Sequence, residues 1–440
     1  MSRKIIALTA VFCFAVIGAG FAAVENIKVS GDVTAQAVIR DLSQGSEQAT
    51  TNDAEDFLFS QIRLRFDADL TENVSAVVGL INERLWGAET SADTDIDLDL
   101  GYVELKEFLY QPLTLTVGRQ RLMYGNGLIL ADPDTNQGAS AAVPAAFADL
   151  SMRKSFDSIK AVLDYAPYTI DIIYAQVAEN NTDMIDDISV LGTNVAYQWA
   201  DYNGITEGYF FAVWGRNNIQ DEENQDKTYV FGARTQWDPN DKLTVGLEGA
   251  YQFGDASRTN IPDTGDQHLE AYAAQVGGEY KFLDEYNSKL GLSYTFLSGD
   301  NDADDGDYNG WDPLFENQTP AEIINLLTAN TNAHFIQVTG SMMPREDITL
   351  GLVYAHALLA EKYNGGSTYQ PSMGPANGNT YTVDRNDNHF GDEIDLYAVY
   401  DYTEDVQLKL KGALFMPGSF FAEESDNTSY SIRGAMSVLF

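Results

Sequence analysis

The feature that most constrains this chain is a two-residue alternation of apolar and polar side chains that recurs from residue 27 to the end. In the clearest stretch Ile62, Leu64, Phe66, Ala68 and Leu70 alternate with Gln61, Arg63, Arg65, Asp67 and Asp69. Leu243, Val245, Leu247, Gly249, Tyr251 and Phe253 form a second series, and Ile394, Leu396, Ala398, Tyr400 and Tyr402 a third. Successive side chains of a strand point to opposite faces, so each segment has one oily face and one wet face. The runs are about 10 residues long, the length a tilted strand needs to cross a bilayer. Strands of soluble sandwiches are usually about half that.

Eighteen such segments run from 27–40 to 428–440. After even-numbered segments the chain turns back quickly, as at Thr71-Glu72, Tyr110-Gln111, Pro167, Pro239-Asn240 and Thr403-Glu404. After odd-numbered segments the connections reach about thirty residues. Short turns on one side and long loops on the other are the sidedness of outer-membrane barrels. The expected fold is therefore all-β, a transmembrane antiparallel up-and-down barrel of about 18 strands. Its surroundings are expected to be outer-membrane lipid and lipopolysaccharide of a Gram-negative envelope.

The N-terminus reads as an address. Arg3 and Lys4 precede the apolar run Ile5 to Ala19, and Gly20 and Ala22 are small, so residues 1–22 match a cleaved signal peptide and 23–440 the barrel domain. The other end alternates Tyr430, Ile432, Gly434, Met436, Val438 and Phe440. A final strand closing on Phe440 fits the signal read by barrel assembly machinery.

Composition removes several functions. Lys plus Arg number 26 against 66 Asp plus Glu, a net charge of −40, which argues against nucleic-acid binding. The only cysteine, Cys13, lies in the address segment, so no thiolate chemistry is expected in the barrel. His268, His334, His356 and His389 are scattered, and no HExxH, GxSxG or P-loop is present. Asp387, His389 and Asp392 are close in sequence, as chance allows in so acidic a chain. With Asp300 as first ligand, a calcium loop would need Gly at Asp305 and Glu at Trp311, so that pattern fails. No enzyme, cofactor or dedicated metal site is expected.

Pointing the polar faces inward yields candidate pathway residues. The bases are Arg63, Arg65, Arg119, Arg121, Arg216, Arg234, Lys409, Lys411 and Arg433; the acids are Glu104, Glu248, Glu393 and Asp395. The full inward inventory is twelve bases and twelve acids, a balanced wall. The fourth and fifth segments change phase near Gly101 and Gly118, and a one-residue bulge at each would turn Arg119 and Arg121 into the lumen close to Glu104. Glu83 and Arg84 fall on a strand apolar on both faces and receive no side. The seventh loop carries eight acids, Asp300, Asp302, Asp304, Asp305, Asp307, Asp312, Glu316 and Glu322, expected at the mouth. Within it Thr319 to Asn330 predicts a short amphipathic helix starting at Pro320, with Ile323, Ile324, Leu326 and Leu327 on one side. The third loop, about 125–155, is expected to enter the lumen or cover the mouth. The eighth, about 361–391, is expected to be mobile.

The run Val117-Gly118-Arg119-Gln120-Arg121-Leu122-Met123-Tyr124-Gly125 resembles a strand motif of the alginate export family of outer-membrane barrels. So, in order, do Gly246 to Gly254, Ser298-Gly299-Asp300 with Pro313-Leu314-Phe315, and Glu393-Ile394-Asp395-Leu396 with Pro417-Gly418. The resemblance implies a monomeric eighteen-stranded pore with a basic lumen, gated by long loops, that passes a polyanionic exopolysaccharide. It carries Arg119 and Arg121 over as pathway residues. Asn126 to Ala131 contains no base where the family pattern has one. The residues themselves favour passive passage of a polar solute, a saccharide or oligosaccharide, through a charged lumen. A dedicated exporter of acidic exopolysaccharide, and a surface barrel for adhesion or anchoring, remain the alternatives.

Overall fold

A computed structural model describes residues 26–42, 44, 54–88, 96–134, 145–178, 187–215, 226–256, 267–301, 306–363, 366, 368–371 and 379–440. The signal segment 1–22, Arg216, Asp302, Asp304 and Asp305 lie outside these.

Eighteen long strands form the wall. They are β1 Asn26–Asp41, β2 Ala54–Thr71, β3 Val74–Leu85, β4 Asp97–Leu105, β5 Leu113–Arg121, β6 Ser155–Tyr165, β7 Tyr168–Ala178, β8 Ile188–Gln198 and β9 Ile205–Trp214. Then come β10 Lys227–Asn240, β11 Leu243–Ala256, β12 Gln267–Lys281, β13 Lys289–Leu297, β14 Ala333–Arg345, β15 Ile348–Leu359, β16 His389–Asp401, β17 Val406–Pro417 and β18 Ser429–Leu439. Each pairs antiparallel with the next. The sheet closes where β18 pairs with β1, from Asp32 opposite Leu439 to Asp41 opposite Tyr430. Closure leaves no edge unpaired, which a wall in lipid requires. At the seam Gly31 and Phe440 exchange backbone hydrogen bonds of 2.8 and 3.0 Å. A Cβ on Gly31 would stand 2.5 Å from the Arg63 carbonyl oxygen and 2.8 Å from the Phe440 ring, so glycine makes room for the terminal aromatic.

The alternation sorts as anticipated. Leu58, Ile62 and Phe66 of β2 are exposed on the outer face, while Phe59 and Gln61 are fully buried within. Val78, Val103, Ile159, Ile172 and Leu191 continue the outer apolar band. Aromatic rings gather at the short-turn end, where Trp199 stacks on Trp237 at 6.2 Å and Tyr168 meets Tyr197 at 5.0 Å, an interfacial girdle.

Several expectations are corrected. The connection from β4 to β5 spans residues 106–112, with Glu107 and Leu109 at φ 53° and 67°, and is not a two-residue turn. The phase change in β4 arises at Asp99, skipped between the pairs Gly79–Leu100 and Leu80–Leu98, and not at Gly101. Neither ladder of β5 shifts at Gly118. Gly118 instead takes φ +123°, where a Cβ would come within 2.1 Å of the Gly101 carbonyl oxygen, so the backbones approach there without a bulge. Among the described residues of the seventh loop only Ile324–Leu327 is α-helical, one turn in place of the expected helix. The described part of the eighth loop is packed: Thr368–Tyr369 pairs with Tyr381–Thr382, and the buried Tyr381 donates its hydroxyl to the Leu42 carbonyl at 2.6 Å.

The core sits inside the barrel, toward the long-loop end. Leu128, Ile129 and Leu130 of the third loop and Trp311, Leu314 and Phe315 of the seventh are buried among wall residues such as Tyr209, Phe211 and Ala271. Two of the loops thus fold into the lumen.

Candidate functional site

The lumen is shaped by these two loops, and buried polar side chains of the wall hold them. Glu393 of β16, fully buried, accepts the backbone N–H groups of Ile323 and Ile324 at 2.7 and 2.6 Å, capping the single helical turn. Its neighbour Asp395 accepts the Glu322 N–H at 3.3 Å and lies 3.0 Å from Lys411 Nζ. Lys411 and Arg433 in turn reach the Glu322 carboxylate at 2.7 and 3.3 Å. Gln252 of β11 exchanges two hydrogen bonds with the Asp312 backbone, 2.6 and 2.9 Å. Glu248 accepts the Asn126 N–H at 2.8 Å and the Tyr209 hydroxyl at 2.7 Å, while Arg234 donates to Asn126 at 3.1 Å and pairs with Glu207 at 2.9 Å.

The third loop is tied similarly. Glu83, without a side from sequence, points inward and accepts from Gln61, Ser151 Oγ and the Met152 N–H at 2.6 to 2.8 Å. Buried Arg40 pairs with Asp149 at 3.2 Å and Glu55 at 3.0 Å. The two loops also pair with each other. Leu130 bridges to Phe315, and the N–H groups of Ala131 and Asp132 both donate to the Phe315 carbonyl. Lys154 adds an ion pair to Asp132 at 2.5 Å and a bond to Asn317 at 3.1 Å. Burial pushes the Glu316 carboxyl up to about 7, although Asn330 and the Gln318 N–H donate to it. Glu316 and Glu322 therefore lie inside the barrel, not at the mouth where the sequence reading put them.

Two of the cavities among the described residues bear on the pathway. One of about 320 Å³ lies between the seventh loop and strands β11 to β14, lined by Asn126, Gln236, Gln275, Gln318, Gln337 and Trp311 among others. Gln275 donates to Gln318 at 2.6 Å and Gln318 to the Asn126 carbonyl at 2.7 Å, a short chain of amides, and separately Gln337 donates to the Pro320 carbonyl at 2.7 Å. The second, of about 480 Å³, is bordered by Arg63, Arg65, Asp99, Glu104, Arg121 and Lys160. Here Arg63 pairs with Asp32 at 2.8 Å, Arg65 with Asp67 at 2.7 Å and Arg121 with Asp99 at 3.5 Å.

Residues 32–434 match the model of the alginate export family. This chain belongs to the alginate export family. No curated protein sequence matches it at a significant level. Among solved structures it is similar to Pseudomonas aeruginosa OccK2, at 11% identity and a TM-score of 0.57, covering 96% of this chain and 99% of that one. Acinetobacter baumannii OccAB1 gives 11% and 0.56 over 96% and 97%. OccK2 in complex with glucuronate gives 10% and 0.55 over 96% and 99%. These likenesses concern the fold: this alginate export barrel is built as outer-membrane porins are.

Within that family frame the two carried-over arginines part company. Because β5 has no bulge, Arg119 stays on the outer face with Val117 and pairs at 3.0 Å with Asp157, which lies between the inward Phe156 and Ser158. It sits at the long-loop end of the wall, where a charge costs about 0–1 kcal/mol. Arg121 follows two residues later in the same unshifted ladder, opposite Ser155, and of the two only its side chain reaches Asp99 and borders the cavity of Arg63 and Arg65. Glu104 is opposite Thr116 and 3.6 Å from Lys106, so it partners neither arginine. The acids of β16 are four places from β2 around the closed sheet, so Glu393 and Asp395 do not face Arg63 and Arg65 from the opposite wall, and Asp395 is paired with Lys411. Lys409 precedes Lys411 by two residues on the same face of β17. The anchors Gln61, Glu83 and Gln252 were missed because alternation gives a side and not a partner.

Proposed function

We propose that this protein is a passive channel of the outer membrane for a saccharide or oligosaccharide, threaded between the seventh loop and the wall. What supports this is the cavity beside the seventh loop, where amides and hydroxyls outnumber the carboxylates Glu248, Glu279 and Glu316 and no cation is among the lining residues. Amide and hydroxyl groups both donate and accept, as sugar hydroxyls do, and bind them without fixing a charge. Six of the cations at the lumen, by contrast, are occupied: Arg63, Arg65, Arg121, Arg234, Lys411 and Arg433 each lie within 4 Å of a carboxylate. A polyanion would have to displace those partners, because cationic relays work by replacing hydration with free charges. OccK2, similar in fold, has been seen with glucuronate, the acidic edge of the same solute class.

A second reading, a dedicated exporter of acidic exopolysaccharide, draws on the family match and on the bases Lys409 and Lys411 of β17, Arg433 of β18 and, beyond β1, Arg63 and Arg65 of β2. Single-channel recording in planar bilayers separates the two. Neutral oligosaccharides are expected to interrupt the current at millimolar concentration. A current blocked by oligouronates alone, with anion selectivity that persists at high salt, would replace the first reading with the second. A cleaved signal at residues 1–22 and delivery to the assembly machinery through Phe440 belong to the same proposal. N-terminal sequencing of the mature chain and the outer-membrane yield of Phe440→Asp test them.

A further inference from the structure

Two of the four histidines meet on the outer face of the wall. His356 of β15 and Asp392 of β16 stand in register, one step from the pair Ala355–Glu393, which is fully buried inside, so both point outward. The ladder shifts between Ala357 and Leu358, skipping Phe390, which turns into the core at 1% exposure. That bulge brings His389 back to the outer face, the re-aiming of a side chain for which bulges are suited. Asp392 then lies between two imidazoles: His356 Nδ1 is 2.8 Å from one carboxylate oxygen and His389 Nε2 is 3.0 Å from the other. The rings are 5.0 Å apart. Tyr354 donates its hydroxyl to the carboxylate at 2.6 Å and fixes its orientation. All three ligand groups are partly accessible, and their ligand atoms lie within 4.8 Å of one another.

We propose that His356, His389 and Asp392 form a binding site for a divalent first-row transition metal, of the zinc, copper or nickel class, at the outer rim of the barrel. Two imidazoles and a carboxylate are ligands that such ions prefer over calcium or magnesium, which favour all-oxygen sets. Metal–nitrogen bonds of about 2.0–2.1 Å require the two rings to turn toward a common centre, by under an ångström or so at their ligand atoms. In the neutral imidazoles the proton moves to the far nitrogen, Nε2 of His356 and Nδ1 of His389, which frees the near nitrogen for the ion. Tyr354 acts through the carboxylate, as a positioning residue. Three protein ligands leave further coordination positions to water at the headgroup level. The acidic loops do not reproduce this site, because they offer carboxylates without imidazole.

The test uses the full chain in detergent, without a polyhistidine tag, in excess calcium to occupy the carboxylate-only sites. Calorimetric titration with zinc chloride at pH 7.5 is expected to give one saturable equivalent per chain. His389→Gln and His356→Gln should each weaken it at least tenfold, while Tyr354→Phe weakens it less. Heat-modifiable gel migration verifies that each variant has folded. Should a variant fail to fold, copper titration of the unmodified chain decides: its electron paramagnetic resonance spectrum should show coupling to two nitrogens. No saturable equivalent, binding unchanged in both folded His variants, or a copper spectrum with oxygen ligands alone would overturn the proposal.

Discussion

The two sides of the lumen use the same polar alphabet differently. On the side of β16 to β2 the polar groups are charges, and the charges are spent on one another or on the loops. Glu393 holds two peptide N–H groups, Asp395 and Lys411 neutralise each other, and Glu322 sits between Lys411 and Arg433. On the side of β11 to β14 the polar groups are mostly amides and hydroxyls, Gln275, Gln318, Gln337 and Thr244 among them, around open space. A buried charge must be paired or it is prohibitively costly, so it makes a firm anchor and a poor transient contact. An amide is less costly to leave half satisfied, and it can trade a neighbour for a solute hydroxyl. On the proposed function, one side holds the channel in shape and the other meets what passes.

The sharpest way to break that division is Glu393→Ala. It strands two N–H groups, at about 1–3 kcal/mol each, while leaving Lys411 its partners Asp395 and Glu322. The seventh loop is expected to leave its seat and single-channel conductance to rise several-fold while the barrel stays heat-modifiable. An unchanged conductance would mean that the apolar packing of Ile323, Ile324 and Leu327 seats the loop alone.

Next in size is the double change Gln275→Ala, Gln337→Ala. It should shorten the residence of neutral oligosaccharides about tenfold with little effect on open-channel current, as read from the duration of blockages. Equal blockage in the variant would move the sugar path to the charged side.

Glu316 gives a pH signature of intermediate size. Its carboxyl, ordinarily near 4.5, is raised to about 7 by burial, so the docked loop binds a proton that a released loop gives up. Docking is then firmest below about 4.5, loses ground as pH rises between these two values and is weakest above about 7. Current fluctuations should increase from pH 5 to pH 8, and Glu316→Gln should flatten that dependence.

The smallest expected effect separates the two arginines of one strand. Arg121→Ser should strengthen cation preference modestly at low salt, because Arg121 borders the charged cavity; Arg119→Ser, on the outer face, should leave reversal potentials where they were. Matching shifts would place Arg119 in the lumen after all.

Much of this architecture is legible from pattern alone. The period of two gave the faces, the alternation of short and long connections gave the sidedness, and both survive in the eighteen strands. What failed was local. Gly101 and Gly118 suggested bulges because glycine tolerates them, yet the irregular residue is Asp99, whose carboxylate takes Ser155 and Arg121. A glycine marks where backbone freedom exists and not which neighbour uses it. The loop anchors were hidden for a related reason. Gln61, Glu83, Gln252 and Glu393 occupy ordinary inward positions, and only the return of a loop, more than sixty residues away in sequence for Gln61, Glu83 and Glu393, gives them partners. The apolar content of residues 311–327 was the available hint, since oily side chains do not stay in water at a mouth.

The bridge between Leu130 and Phe315 has a mechanical consequence. Joined by backbone hydrogen bonds and by Lys154, the third and seventh loops cannot swing independently without tearing that joint. They form one joined unit hung from two separate stretches of wall. If that unit gates the pore, the current should switch between a few discrete levels instead of drifting through a continuum.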